Sequence, residues 1–181
     1  MAKLIFGMMQ SLDGYIAGIP GGPQLPPPGA ELHRYFNNHV HGLVGILYGR
    51  LMYEVMRYWD DDKSEWGEIE HDFAAAWRSK PKWIVSRTLA FVGPNATLVN
   101  DNVGLFVERL KAQLDGEIDV AGPNLASSLS ALGVIDEYHL YFRPFVLGGG
   151  KPYFAALLPP LRLVETLPVG VDALRLTYVP L

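Results

Sequence analysis

Between Val44 and Glu54 the chain reads V-G-I-L-Y-G-R-L-M-Y-E, and this stretch narrows the possible folds more than any other. Val44, Ile46 and Leu47 read as the end of a buried strand, Gly49-Arg50 as a turn, and Leu51–Met56 as the start of a helix. A buried strand that runs through glycine into a helix places unpaired backbone N–H groups, and the positive end of a helix dipole, beside a cation. Such a turn binds anions, and a phosphate suits it. Two other stretches repeat the arrangement: W-I-V-S-R at Trp83–Arg87 closes a strand on Ser-Arg, and I-D-V-A-G-P-N at Ile118–Asn124 closes one on Gly-Pro before another helical run. In a parallel sheet, strand ends that each feed a helix share one edge, and ligands bind there.

The rest of the chain supports that arrangement. Leu4–Met9 is a short apolar run read as a central strand, followed by Ser11-Leu12-Asp13-Gly14, a tight loop in which Asp13 serves as a turn residue. Residues 20–29, P-G-G-P-Q-L-P-P-P-G, hold five prolines and three glycines, which excludes helix and central strand. They read as a rigid surface loop, a candidate lid. Leu32, Tyr35, Phe36 and Val40 then mark one apolar stripe of a helix over about 31–40, with Glu31 in its first turn. A helix is expected over about Glu68–Arg78. Asp101 is expected to cap another, whose stripe is Val103, Phe106, Val107, Leu110 and Leu114 and whose stop is Gly116. Pro123 opens a helix that Leu125, Leu129 and Leu132 continue to Gly133. From Ile135 the period changes to alternation, which predicts a half-buried strand; strands at about Arg162–Thr166 and Leu174–Val179 close the chain. Strand–helix alternation followed by a β-rich final third indicates an α/β sheet with an antiparallel edge, in one domain over 1–181.

Composition removes whole classes of function. With a net charge of −4 and no Lys/Arg cluster, the chain lacks the basic face of a nucleic-acid binder. No cysteine is present, so disulfides, zinc-thiolate sites and thiol catalysis are excluded. No apolar run reaches the ~18 residues of a membrane span and the N-terminus enters a strand directly, so a cytoplasmic protein is expected. His39-x-His41 has no third ligand at a telling spacing for a metal, and no G-x-S-x-G elbow supports a hydrolase.

Taken singly, Gly49 and Gly122 are equally ordinary turn glycines, and Arg50 and Arg87 ordinary surface cations. Three such turns together suit a ligand with several phosphates, and a dinucleotide is the economical choice. The G-x-G-x-x-G fingerprint and the G-x-x-x-x-G-K-[ST] loop are both absent, so the site must be of another type. Two arginines with no acidic ribose-binding residue in evidence favour a 2′-phosphate, hence NADP over NAD.

The order Ser11-Leu12-Asp13-Gly14-Tyr15-Ile16-Ala17, Leu47-Tyr48-Gly49-Arg50 with Tyr53-Glu54, Ser86-Arg87-Thr88-Leu89, Asp136-Glu137-Tyr138 and Pro144–Pro152 (P-F-V-L-G-G-G-K-P) resembles one family. It is similar to stand-alone relatives of the reductase domain of bifunctional riboflavin-biosynthesis proteins. The resemblance covers nearly the whole chain. It implies a dihydrofolate reductase-like, three-layer α/β/α fold whose mostly parallel central sheet carries antiparallel C-terminal strands. It further implies NADPH as hydride donor and, in the best-known member, reduction of 5-amino-6-(5-phosphoribosylamino)uracil. Gly49, Arg50, Ser86 and Arg87 would then hold the adenosine phosphates, and Gly122-Pro123 would lie along the pyrophosphate. Asp13 and the loop Gly148-Gly149-Gly150-Lys151 would border the nicotinamide and substrate pocket. Glu31 stands where dihydrofolate reductases place the carboxylate that binds the pteridine and assists its protonation. Two departures stand out: Met52 replaces a usual threonine, and Pro123 replaces the second glycine of a commoner Gly-Gly. The zinc deaminase half has no counterpart here. The expected function is reduction of a C=N bond, with pterin or folate reduction using Glu31, or nucleotide binding without turnover, as alternatives. A homodimer through the aromatic C-terminal strands is also expected.

Overall fold

The structure, a computed structural model, describes residues 1–156 and 158–181. An eight-stranded sheet forms its centre, in the spatial order β5-β4-β3-β6-β1-β7-β10-β9. The parallel strands are β1 (Lys3–Gln10), β3 (Leu43–Gly49), β4 (Lys82–Val85), β5 (Ala96–Val99), β6 (Glu117–Ala121) and β7 (Glu137–Phe142). The antiparallel pair β9 (Leu161–Val169) and β10 (Ala173–Pro180) extends one side. A two-stranded ribbon of β2 (Tyr15–Ala17) and β8 (Lys151–Pro152) sits apart from it.

Helices cover both faces because the strands are apolar on both. Leu4, Phe6, Leu47, Ile118 and Val120 pack beneath α4 (Val103–Gln113) and α5 (Pro123–Ala131), meeting Val107, Leu110, Leu125 and Leu129. Ile46, Tyr48 and Ile84 project to the other side. There they meet Val40 of α1 (Ala30–Gly42) and Phe73, Ala76 and Trp77 of α3 (Glu68–Ser79). Burying one such side chain stabilises the fold by about 1.5–3 kcal/mol. The short helix α2 (Arg50–Met56) continues from β3 and runs into a 3-10 turn at Arg57–Trp59. This is the expected three-layer architecture.

Two local expectations are revised. β7 is not half-buried: it lies between β1 and β10, and Tyr138, His139, Leu140 and Tyr141 are all buried. Alternating polarity misleads here because the strand is covered on both sides, and Glu137 pairs with one ring nitrogen of the buried His139, with 3.0 Å between Oε2 and Nε2. Asp101 does not cap α4. Asn102 occupies that position in a left-handed conformation (φ 45°), and no side-chain cap is formed. His39 and His41 lie in the last turn of α1. They lie near separate carboxylates, Asp119 at 3.5 Å and Asp72 at 2.9 Å.

The proline-rich loop over residues 20–29 and the glycine-rich loop are held by specific contacts. The Gln24 side chain closes the lid on itself, accepting from the Gly18 N–H at 3.0 Å and donating to the Ile19 carbonyl at 3.0 Å. Arg143, buried at the end of β7, donates to the Pro26 carbonyl at 3.2 Å and to Asp172 at 2.9 Å. An added Cβ on Gly150 would stand 2.0 Å from the Ala17 carbonyl oxygen, so only glycine lets β8 approach β2 this closely. Asp13 is more than a turn residue. Its two carboxylate oxygens accept the Leu147 N–H at 3.1 Å and the Gly148 N–H at 2.7 Å. Hydrogen bonding from Ser11 and then from these amides holds its pKa below the ordinary 3.8.

A depressed pKa in the folded state makes this tie present above pH 3.8 and lost as the pH falls below it. Asp13→Ala is therefore expected to loosen residues 147–150, seen as faster limited proteolysis there at neutral pH, while the unaltered chain loosens only in acid. Equal cleavage rates for the two chains at neutral pH would show that Asp13 does not hold the loop.

Candidate functional site

Each parallel strand of this sheet ends on the same edge, and the chain turns there before crossing back. One elongated cavity of about 810 Å³ runs along that edge. Met8 of β1 and Ile16, Ala17 and Lys151 of the ribbon form one end. The middle is the turn Gly49-Arg50-Leu51-Met52 after β3 and Gly122-Pro123-Asn124-Leu125 after β6. Ser86-Arg87 after β4 and Asn100-Asp101-Asn102 after β5 form the other end. The three turns singled out in the sequence thus share one wall.

Local geometry explains the residue types at the centre. Gly122 has φ +109°, a conformation that L residues rarely adopt, and its Cα region lies against the neighbouring turn. A Cβ built there would stand 3.6 Å from Met52 Cβ and 3.9 Å from the Gly49 nitrogen. Space is adequate; backbone conformation is what requires glycine. Pro123 takes the first position of α5, where its missing N–H breaks no helical bond, but it also leaves one donor fewer for an anion. Met52, in the position of the usual threonine, offers no hydroxyl. This centre presents backbone and apolar side chains rather than a dense set of side-chain donors.

The charged groups differ in how free they are. The Arg50 guanidinium donates to Glu54 one turn along α2 at 2.9 Å, and both side chains are exposed. Such a pair contributes little to stability and yields readily to a ligand. Arg87 is exposed and forms no ion pair among the described residues. Ser86 is buried, and its hydroxyl accepts the Thr88 and Leu89 N–H groups at 3.2 and 3.1 Å. Its role is to shape the turn that presents Arg87. The Ser86 N–H donates to the Val99 carbonyl at 3.0 Å, which fixes the β4 and β5 exits beside each other.

Other expected site residues lie off the cavity wall. Asp13, Gly148 and Gly149 do not line it; they place the segment from which Lys151 reaches it. Glu31 is exposed in the first turn of α1, at the same sheet edge but on its other face, with its carboxylate against Gly170 of the β9–β10 turn. Two residues escaped sequence reasoning. Asp101 lines the cavity, but its position just before a helix made a cap the simpler reading. Arg143 gave no signal at all, because a buried arginine in Phe-Arg-Pro cannot be told from an exposed one. Among the described residues no cluster of three potential metal ligands is present, and no helix is long and apolar enough to cross a membrane.

Comparison with known proteins agrees with this geometry. A Bacillus subtilis (strain 168) protein, the uncharacterized YyaP, is 27% identical over 179 residues, covering 97% of this chain and 94% of its own. Among solved structures, a putative riboflavin biosynthesis protein from Shewanella sp. PV-4 matches with a TM-score of 0.71 at 23% identity, covering 99% and 98% of the two chains. Dihydrofolate reductase from Enterococcus faecalis, complexed with NADP(H), matches with a TM-score of 0.68 at 12% identity over 98% and 95%. The deaminase/5-amino-6-(5-phosphoribosylamino)uracil reductase of Thermotoga maritima matches with a TM-score of 0.68 at 13% identity; 99% of this chain covers 57% of that one. The fold is accordingly dihydrofolate reductase-like. The profile of the RibD C-terminal domain spans residues 2–175, and the chain belongs to the RibD C-terminal domain family.

Proposed function

We propose that the protein is an NADPH-dependent reductase that delivers hydride to a C=N bond of a small heterocycle. The reading is supported by one cavity of about 810 Å³ whose lining includes the three turns at Gly49-Arg50, Ser86-Arg87 and Gly122-Pro123 as well as the β2–β8 ribbon. The bound NADPH would supply the hydride. Gly49 and Gly122 bring two turns close enough for their backbone amides to hold a pyrophosphate. Arg50 and Arg87 add positive charge on the adenosine side. Met8, Ile16 and Ala17 form an apolar wall at the other end, where the nicotinamide would lie flat against β1 and the ribbon. Asp13 acts at a distance by holding the Gly148-Gly149 segment that closes this end. Alignment of cofactor and substrate, together with exclusion of water, carries most of the rate in this reading.

The substrate end allows two readings. Reduction of a 5-amino-6-(5-phosphoribosylamino)uracil-like compound follows from the family. A pterin or dihydrofolate substrate is the alternative, with Glu31, at the same sheet edge but off the cavity wall, as the acid. The C-terminal strands β9 and β10, with β9 at the edge of the sheet, are where we place a second copy in a homodimer.

Fluorescence titration with NADPH and NADH tests the cofactor assignment. Saturable NADPH binding is expected, and its absence would remove the reductase reading in favour of a nucleotide-binding relative without turnover. Arg87→Ala is expected to weaken NADPH about tenfold, equivalent to about 1.4 kcal/mol, with a smaller loss for NADH. Equal losses would show that Arg87 does not meet a 2′-phosphate.

The pterin reading predicts that Glu31→Gln lowers dihydrofolate turnover at least about 10²-fold with NADPH binding intact. Unchanged turnover would remove Glu31 as the acid.

A further inference from the structure

The adenosine end of the cavity holds two opposed charges. Val85 of β4 pairs with Val99 of β5, and the Ser86 N–H donates to the Val99 carbonyl, so the chain leaves both strands side by side. Two residues beyond the paired positions stand Arg87 on one exit and Asp101 on the other; both are exposed and both line the cavity. Asp101 has no structural task that would explain a carboxylate. Asn102 holds the helix-cap position with φ 45°, and no side-chain cap forms there. Recognition of a dinucleotide at its adenosine ribose follows a general rule: an acidic side chain accepts a hydrogen bond from a free 2′-hydroxyl, whereas an arginine accommodates a 2′-phosphate. This end carries one of each.

We infer that Asp101 is a cofactor-specificity residue acting against Arg87, so that the chain binds both NADPH and NADH. This rests on the dinucleotide reading above and adds to it. A 2′-phosphate near this wall meets the Arg87 guanidinium and is repelled by the Asp101 carboxylate. A free 2′-hydroxyl donates to Asp101 and draws nothing from Arg87. Discrimination is the difference between the two effects and is smaller than Arg87 alone would produce. Both groups are exposed, so each acts through a high effective dielectric and is screened by salt, which keeps each effect modest.

The test compares dissociation constants for NADPH and NADH, by fluorescence titration at low and at high salt, in the unaltered chain, Asp101→Asn and Arg87→Ala. Asn is chosen because it matches the shape of Asp, and thermal unfolding of each variant is measured alongside. Asp101→Asn is expected to tighten NADPH about threefold and weaken NADH about threefold, with unchanged thermal stability. Added salt should shrink the gain for NADPH. Arg87→Ala should move the ratio of the two constants the opposite way. If Asp101→Asn lowers thermal stability and weakens both dinucleotides alike, Asp101 is a structural residue and the inference falls. If both dinucleotides bind but their ratio does not change, the inference falls while the reductase reading stands. If the unaltered chain binds neither dinucleotide, both fall.

Discussion

Everything at the site depends on the convergence of parallel strand ends on one edge of the sheet. A right-handed crossover brings each strand back in the same direction, so every strand-to-helix turn falls on the same side. The ends of five strands, β1, β6, β3, β4 and β5, lie consecutively along that edge, and those of β3, β5 and β6 lead into helices. Backbone amides freed at such turns are costly to bury without partners and are retained where a ligand satisfies them. The cavity follows from topology; its contents follow from the few side chains that each turn presents. Gly122 shows how tightly the two are coupled, since only glycine adopts its positive φ between the β3 and β6 exits.

Much of the fold was legible because the core obeys simple periods. The stripes on α1 and α4 and the apolar runs of β1, β3, β4 and β6 named their own structures and their order. Where the reading failed, side-chain pairing had replaced burial as the deciding term. β7 alternates polar and apolar residues, yet it is central, with the buried His139 paired through Nε2 to the partly buried Glu137. Asp101 precedes a helix as a cap would, yet the chain turns through Asn102 and leaves the carboxylate on the cavity wall.

The candidate site divides along the same line. Gly49, Arg50, Ser86, Arg87, Gly122 and Pro123 were legible as three separate turns, and the sheet brings them into one wall. Asp13 looked like a self-contained turn; its true partners are Leu147 and Gly148, more than a hundred residues away, a distance no local pattern reveals. Arg143 is the extreme case, since its ties to Pro26 and Asp172 join the lid to the β9–β10 turn through contacts that exist only in three dimensions.

The central claim is that one ligand spans all of these turns at once. Amide hydrogen exchange with and without saturating NADPH reads that directly. Concurrent protection is expected at 49–52, 86–88, 122–125 and 148–151, four segments far apart in sequence. Protection confined to a single turn, or absent from the segment carrying Lys151, would contradict it.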